Sequence, residues 1–177
     1  MPFRDITHNP DVVRALRELS KRGIYGKLEK VRQNYGVILF DVKATGEYIM
    51  NEVKERWAEP YYDQENRTIV FHINIPEYAA VPQPKEERDR VAKELQDKFR
   101  RKGIRTYVEL PKDNEGYITI DLDSIALYIK KLLEPYIRGR TSYYFYYDKE
   151  NAVLQLHAWT GTTPKEVQKL KQEVSSR

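Results

Sequence analysis

Two of the chain's three histidines stand in matching surroundings. His72 sits in TIVFHINI and His157 in AVLQLHAW, 85 residues later; His8 is the third. Imidazole can ligate a metal, shuttle a proton or switch charge near neutrality. A pair at equivalent strand positions could therefore meet across an internal axis and hold a metal or a phosphate. No HxH, HExxH or carboxylate-rich ligand spacing accompanies them. They read first as hydrogen-bonded strand residues, and no metal site is expected. Asp41 and Asp121 form a second repeated pair, each at a strand end before a helix. Paired acids can hold Mg²⁺ for phosphodiester cleavage. A carboxylate at that place also caps the first turn of the helix, and this is the better fit. The chain has no cysteine, so thiolate ligands, disulfides and cysteine nucleophiles are excluded. It lacks a P-loop, GxGxxG and GxSxG. No catalytic residue and no cofactor are assigned, and the balance leans away from an enzyme.

Basic and aromatic residues offer different chemistry. Lys21 and Arg22 end one predicted helix, and Lys98, Arg100, Arg101 and Lys102 end another. Such cations favour a helix C-terminus and can also meet phosphates. Tyr25 and Lys27 follow the first cluster, and Arg105 and Tyr107 follow the second. In TSYYFYY, Tyr143, Phe145 and Tyr147 point one way, and Tyr144 and Tyr146 the other. That pattern suits packing in a half-buried strand before base stacking.

The elements that position these residues repeat. YYDQEN (61–66) returns as YYDKEN (146–151), at the offset that relates the two histidines. Upstream the offset is 80. Gly23-Ile24 meets Gly103-Ile104, Glu29 meets Glu109, Asn34 meets Asn114 and Gly36 meets Gly116. Ile38 meets Ile118, Asp41 meets Asp121, and Tyr48-Ile49 meets Tyr128-Ile129. The offsets differ by five residues, an insertion expected near EPYIRGRTS. Ordered, collinear identities of this kind point to internal duplication.

Patterning gives each half the order α-β-β-α-β-β. NPDVVRALRELSKRG starts at Asn9 and Pro10, carries Val13, Leu16 and Leu19 on one stripe and stops at Gly23. TGEYIMNEVKERW is a helix with Ile49, Val53 and Trp57 inward, and hairpins lie on either side. PKEERDRVAKELQDKFRRKG opens the second half, with Val91, Leu95 and Phe99 inward. A closing helix follows a cap at Thr162 or Thr163. The fold class is α+β: a tandem αββαββ unit with ferredoxin-like or saddle-like halves, plus a C-terminal helix. The expected division is 1–80 and 81–177, with a linker at 76–85. Strand alternation buries Ile24, Leu28, Ile38, Phe40, Ile69, Phe71 and Ile73 and their counterparts against helices. The opposite face, with Glu29, Glu109, Asp41, Asp121, Asn74, the histidines and Trp159, is expected to stay open.

This tandem order resembles the single-chain LAGLIDADG homing endonucleases, whose two halves form a saddle of strands over DNA. The resemblance implies a metal-binding acid beside a glycine at the end of each half's first helix. Arg22 and Lys102 precede Gly23 and Gly103 there instead.

The chain of 177 residues is 40% hydrophobic and 33% charged, with net charge +4 and pI about 9.0. That composition suits a globular protein and permits an anionic partner. Its charged load and 14 tyrosines suit a thermophile. There is no apolar leader or membrane-length run, so a cytoplasmic protein without a membrane partner is expected. The leading expectation is non-catalytic nucleic-acid binding, most plausibly to DNA. Its surface comprises Lys21, Arg22, Tyr25, Lys27, His72, Arg101, Lys102, Arg105, Tyr107, His157 and Trp159. One alternative is an assembly module that forms a homo-oligomer through its Tyr-rich sheet, with Val37, Leu39 and Val70 on the face it would bury. The other is a degenerate LAGLIDADG-like, metal-dependent endonuclease using Asp41 and Asp121.

Overall fold

The computed structural model describes residues 10–137 and 141–175. Asn9, His8 and residues 138–140 of the expected insertion lie outside the described residues. The protein is α+β, with five α-helices and two four-stranded antiparallel sheets among the described residues. The order is α1 (Pro10–Ser20), β1 (Gly26–Arg32), β2 (Tyr35–Asp41), α2 (Val42–Glu52), β3 (Ala58–Asp63) and β4 (Thr68–Asn74). It continues with α3 (Pro84–Arg101), β5 (Tyr107–Lys112), β6 (Glu115–Asp121), α4 (Leu122–Ile137), β7 (Ser142–Asp148), β8 (Val153–Trp159) and α5 (Lys165–Ser175). A single 3₁₀ turn, Glu77–Ala79, interrupts the linker. Among the described residues, no helix is long and apolar enough to cross a membrane.

Sheet 1 runs β1-β2-β8-β7 and sheet 2 runs β3-β4-β6-β5. Each sheet thus takes one hairpin from each sequence half. The compact units follow the sheets: one reaches Thr45 and resumes at Ile129, and the other is Gly46–Tyr128. They are not residues 1–80 and 81–177, and neither sheet is a self-contained half. The reason is physical. Equivalent hairpins offer the same ladder edge, so pairing within a half and pairing between halves satisfy the same hydrogen bonds, as in domain swapping.

Local interactions recur at the matched positions. Asp63 accepts from Asn66 N–H at 3.1 Å and from Asn66 Nδ2 at 2.8 Å; Asp148 accepts from Asn151 at 3.3 and 2.8 Å. The next residues, Arg67 and Ala152, have φ of 54° and 52°. Asn34 Nδ2 donates to Thr160 O at 3.0 Å, and Asn114 Nδ2 donates to Ile75 O at 3.1 Å. Asp41 accepts from Ala44 N–H at 3.0 Å and Asp121 from Ser124 N–H at 2.8 Å, so both carboxylates cap the start of a helix.

In unit 1, Val12, Ala15 and Leu19 are buried, while Val13 is exposed. The apolar stripe of α1 is therefore one residue off the expected one at its start. Ile38, Phe40, Leu154, Leu156 and Ala158 are buried as alternation requires. In unit 2, Val91, Leu95 and Phe99 of α3 are buried, and the Phe99 ring lies 5.5 Å from Phe71 of β4. Helix α2 stops at Glu52, so Trp57 is not on its inward face; it has φ 74° ahead of β3. The edge strands β3 and β5 carry Pro60 and Pro111, which withhold an N–H from any added strand.

Helices α1 and α3 end alike. Gly23 and Gly103 both have φ 76°. Ile24 N–H donates to Leu19 O at 3.0 Å, and Ile104 N–H donates to Phe99 O at 2.9 Å, each with buried partners. This closure needs a left-handed residue after the helix. A Cβ at Gly103 would meet nothing within 4 Å, so its cost is conformational alone. Gly103→Ala is expected to lower stability by about 1 kcal/mol in a denaturant titration. Gly103→Asn should lower it less.

Candidate functional site

The outer face of sheet 1, expected open, is covered. Helix α5 packs on it, and Tyr35, Val37, Trp159 and Val167 form a buried cluster, with Leu39 and Tyr144 against it. Arg32 grips Glu166 of α5 with two bonds of 2.8 and 2.9 Å. That grip, with the Arg32 hydrogen bond as the larger cause, holds Glu166 down at about 2. Lys171 of α5 sits 5.2 Å from the centre of the Tyr144 ring. His157 is 5% exposed and Trp159 is 4% exposed, out of reach of a nucleic acid. His157 Nε2–H donates to Gln155 Oε1 at 2.8 Å, which leaves Nδ1 to accept from the Tyr35 hydroxyl at 2.7 Å. Burial pushes His157 down to about 4 and Tyr35 up to about 12.

Sheet 2 has the same register with different residues. In sheet 1, His157 stands opposite Val37, which stands opposite Glu29; in sheet 2, His72 stands opposite Tyr117, which stands opposite Glu109. Tyr35, the partner of His157, corresponds to Glu115, and His72 Nε2–H donates to Glu115 Oε1 at 2.8 Å. Tyr117 OH donates to the same oxygen at 2.7 Å, and its ring stacks on His72 at 4.7 Å. The Tyr117 hydroxyl, then His72, holds the Glu115 carboxyl below its usual range. Tyr144 corresponds to Glu59, and Trp159 to Asn74. Thus three aromatic residues beneath α5 become two carboxylates and an amide in sheet 2.

Two of these replacements, Glu59 and Asn74, line a pocket of about 420 Å³, with Trp57, His72, Pro76 and Tyr78 also in its wall. Tyr78 is 90% exposed at the 3₁₀ turn. The Arg56 guanidinium lies over the Trp57 ring at 4.3 Å. Among the described residues, no lysine or arginine lines the pocket. Glu59, Glu109 and Glu115 give this face negative character, while Tyr61 and Tyr107 flank its Val70–Thr119 row, each about half exposed.

Other residues anticipated for nucleic-acid contact lie elsewhere. Lys21 pairs with Glu18 at 3.2 Å, Lys27 lies 3.9 Å from Glu29, and Lys102 lies 3.4 Å from Glu52. Arg22, Arg101 and Arg105 are exposed and make no ion pair among the described residues. Tyr25 is 72% exposed in unit 1. Of the anticipated set, His72 alone reaches the pocket. Among the described residues, no group of three or more His, Cys, Asp or Glu could hold a metal ion. The pocket's Trp57, Glu59 and Tyr78 were not anticipated, and Asn74 was expected only as part of the open face. The signal for Glu59 and Asn74 is divergence from their matched residues, Tyr144 and Trp159.

Comparison with known proteins finds no match. No family model fits the chain, and no curated protein or solved structure is significantly similar to it. Function must be argued from the site.

His157 gives a pH prediction. Its folded pKa of about 4 lies below the ordinary value of 6.5. Above pH 6.5 both states are neutral there, so the group contributes no pH dependence. Between 6.5 and 4 the unfolded chain binds the proton first, so stability falls as pH falls. Relative to His157→Gln, the wild-type protein is expected to lose about 3 kcal/mol across that window. Paired denaturant titrations at pH 7 and pH 4 check this.

Proposed function

We propose that the chain is an internally duplicated, non-catalytic protein-interaction module, with unit 1 as its structural copy and unit 2 as its binding copy. One observation carries this reading. Helix α5 covers the centre of the matched sheet face in unit 1, whereas in unit 2 that face bears half-exposed Tyr61 and Tyr107. Exposed aromatics on a rigid sheet are the residue types that dominate protein–protein binding energy. The strand β7 tyrosines support a homo-oligomer less well. Tyr144 packs against the α5 cluster, and the Phe145 ring meets Tyr143 at 5.8 Å and Lys130 at 5.7 Å within its own unit.

A second reading, nucleic-acid binding, is favoured by the exposed Arg22, Arg101 and Arg105 at matched helix ends. The carboxylates of the sheet 2 face oppose phosphate, so such binding would use the helix ends alone.

Selection of peptides on the immobilised protein tests the first reading. Selected peptides should lose about tenfold in affinity for the Tyr61→Ser/Tyr107→Ser double variant. Peptides indifferent to that change, or none above background, would sink it. Fluorescence anisotropy with duplex DNA across a salt series tests the second. It expects binding that weakens with salt and weakens again in Arg101→Glu/Arg105→Glu.

A further inference from the structure

We infer that the pocket of unit 2 takes the ammonium or guanidinium group of a basic side chain, presented by a helical segment of the partner protein. This rests on the interaction-module reading and specifies its occupant.

Three features point the same way. First, among the described residues the wall carries the carboxylate of Glu59 and no cationic side chain. Glu59 has no hydrogen bond or ion pair among the described residues. An anion there would face that carboxylate, whereas a cation would acquire a partner. Second, Trp57 and Tyr78 supply aromatic faces, and the Trp57 ring already accepts the guanidinium of Arg56 at 4.3 Å. Aromatic rings with a nearby acid are the chemistry that recognises a cationic head on an apolar stem.

Third, unit 1 shows how a helix uses the matched place. Glu59 corresponds to Tyr144. In unit 1, α5 lies on the sheet and holds the Lys171 ammonium over Tyr144, 5.2 Å from the ring centre. Its Val167 is fully buried in the cluster beneath. A helix on the matched face of unit 2 would bring a residue in the place of Lys171 to Glu59. The bed differs there: Glu115 and Asn74 replace Tyr35 and Trp159. The visiting helix should therefore be more polar and more basic than α5. Two other readings of the pocket fit less well. A metal would need a ligand cluster, and none exists among the described residues. Acid–base catalysis by His72 and Glu115 lacks a nucleophile in the wall.

The test is an NMR titration of the whole chain with Nα-acetyl-arginine amide and its neutral isostere, Nα-acetyl-citrulline amide. The cationic probe should shift the Trp57 indole, His72 and Tyr78 signals saturably, and the neutral probe should bind roughly three- to fivefold more weakly. Glu59→Gln should remove that preference while leaving the neutral probe unchanged. Rising salt should weaken the cationic probe alone. Equal shifts from both probes, or shifts away from the pocket, would overturn the inference. If peptides selected on the protein still depend on Tyr61 and Tyr107 in that case, the interaction-module reading stands and the cationic occupant alone is lost. If the probes discriminate but a helical peptide bearing a central arginine binds no better than free Nα-acetyl-arginine amide, the cationic occupant stands and the helical partner is lost.

Discussion

The structure depends on two antiparallel seams, β2 with β8 and β4 with β6. A lone hairpin is marginal in water; joining two gives a sheet that can bury one face against helices. Each seam joins hairpins from opposite halves of the sequence. Its register then decides which side chains share a face, because a slip of one residue would turn every side chain over. The registers agree position by position: Gly36 faces Ala158 and Gly116 faces Ile73, with the histidines one step along. Everything said of the two histidines follows from that agreement. They occupy one address in two sheets, so their different surroundings come from what packs on each sheet.

Much of this was legible in the sequence because it is local. Pro10 and Gly23 bound a helix, Asp63 and Asn66 close a turn, and alternation in TIVFHINI names the buried face. The seams were not legible. The identities that align the halves also make their hairpins interchangeable, so no residue pattern says which partner a hairpin takes. Trp57 was misplaced for another reason. Its spacing continued the stripe of Ile49 and Val53, but the chain leaves the helix at Glu52 and turns through a positive φ at Trp57. The covering of sheet 1 by α5 is not legible in the sequence of that helix. Its buried contact is the single fully enclosed Val167, reinforced by the Arg32–Glu166 grip that no periodicity reveals.

The site was the least legible part, and the reason is instructive. The matched identities fall mainly on turns, caps and core. The pocket's Glu59 and Asn74 fall where matched positions differ. Tyr35 against Glu115, Tyr144 against Glu59 and Trp159 against Asn74 are such differences, and they fall together on one face. The physical logic is consistent. Beneath α5, dry aromatic contact suits a buried imidazole that remains neutral, with its pKa pushed down to about 4. In unit 2 carboxylates stand at the matched positions, and the Tyr117 and His72 hydrogen bonds outweigh the partial burial of Glu115 and keep it charged.

The two histidines therefore do different work with the same backbone. His157 bridges Tyr35 and Gln155 inside a sealed layer, where its bonds satisfy buried polar atoms. His72 is half-buried, fixed on one side by Glu115 and on its ring face by Tyr117. Its tautomer is set, because the carboxylate accepts and Nε2 must donate. Nδ1 is left without a partner among the described residues, at the wall of the pocket. Glu115 is likewise committed to His72 and Tyr117, which leaves Glu59 as the carboxylate free to meet an incoming charge. Fixed polar groups around one uncommitted carboxylate favour recognition of a cation, since the wall need not reorganise when the charge arrives.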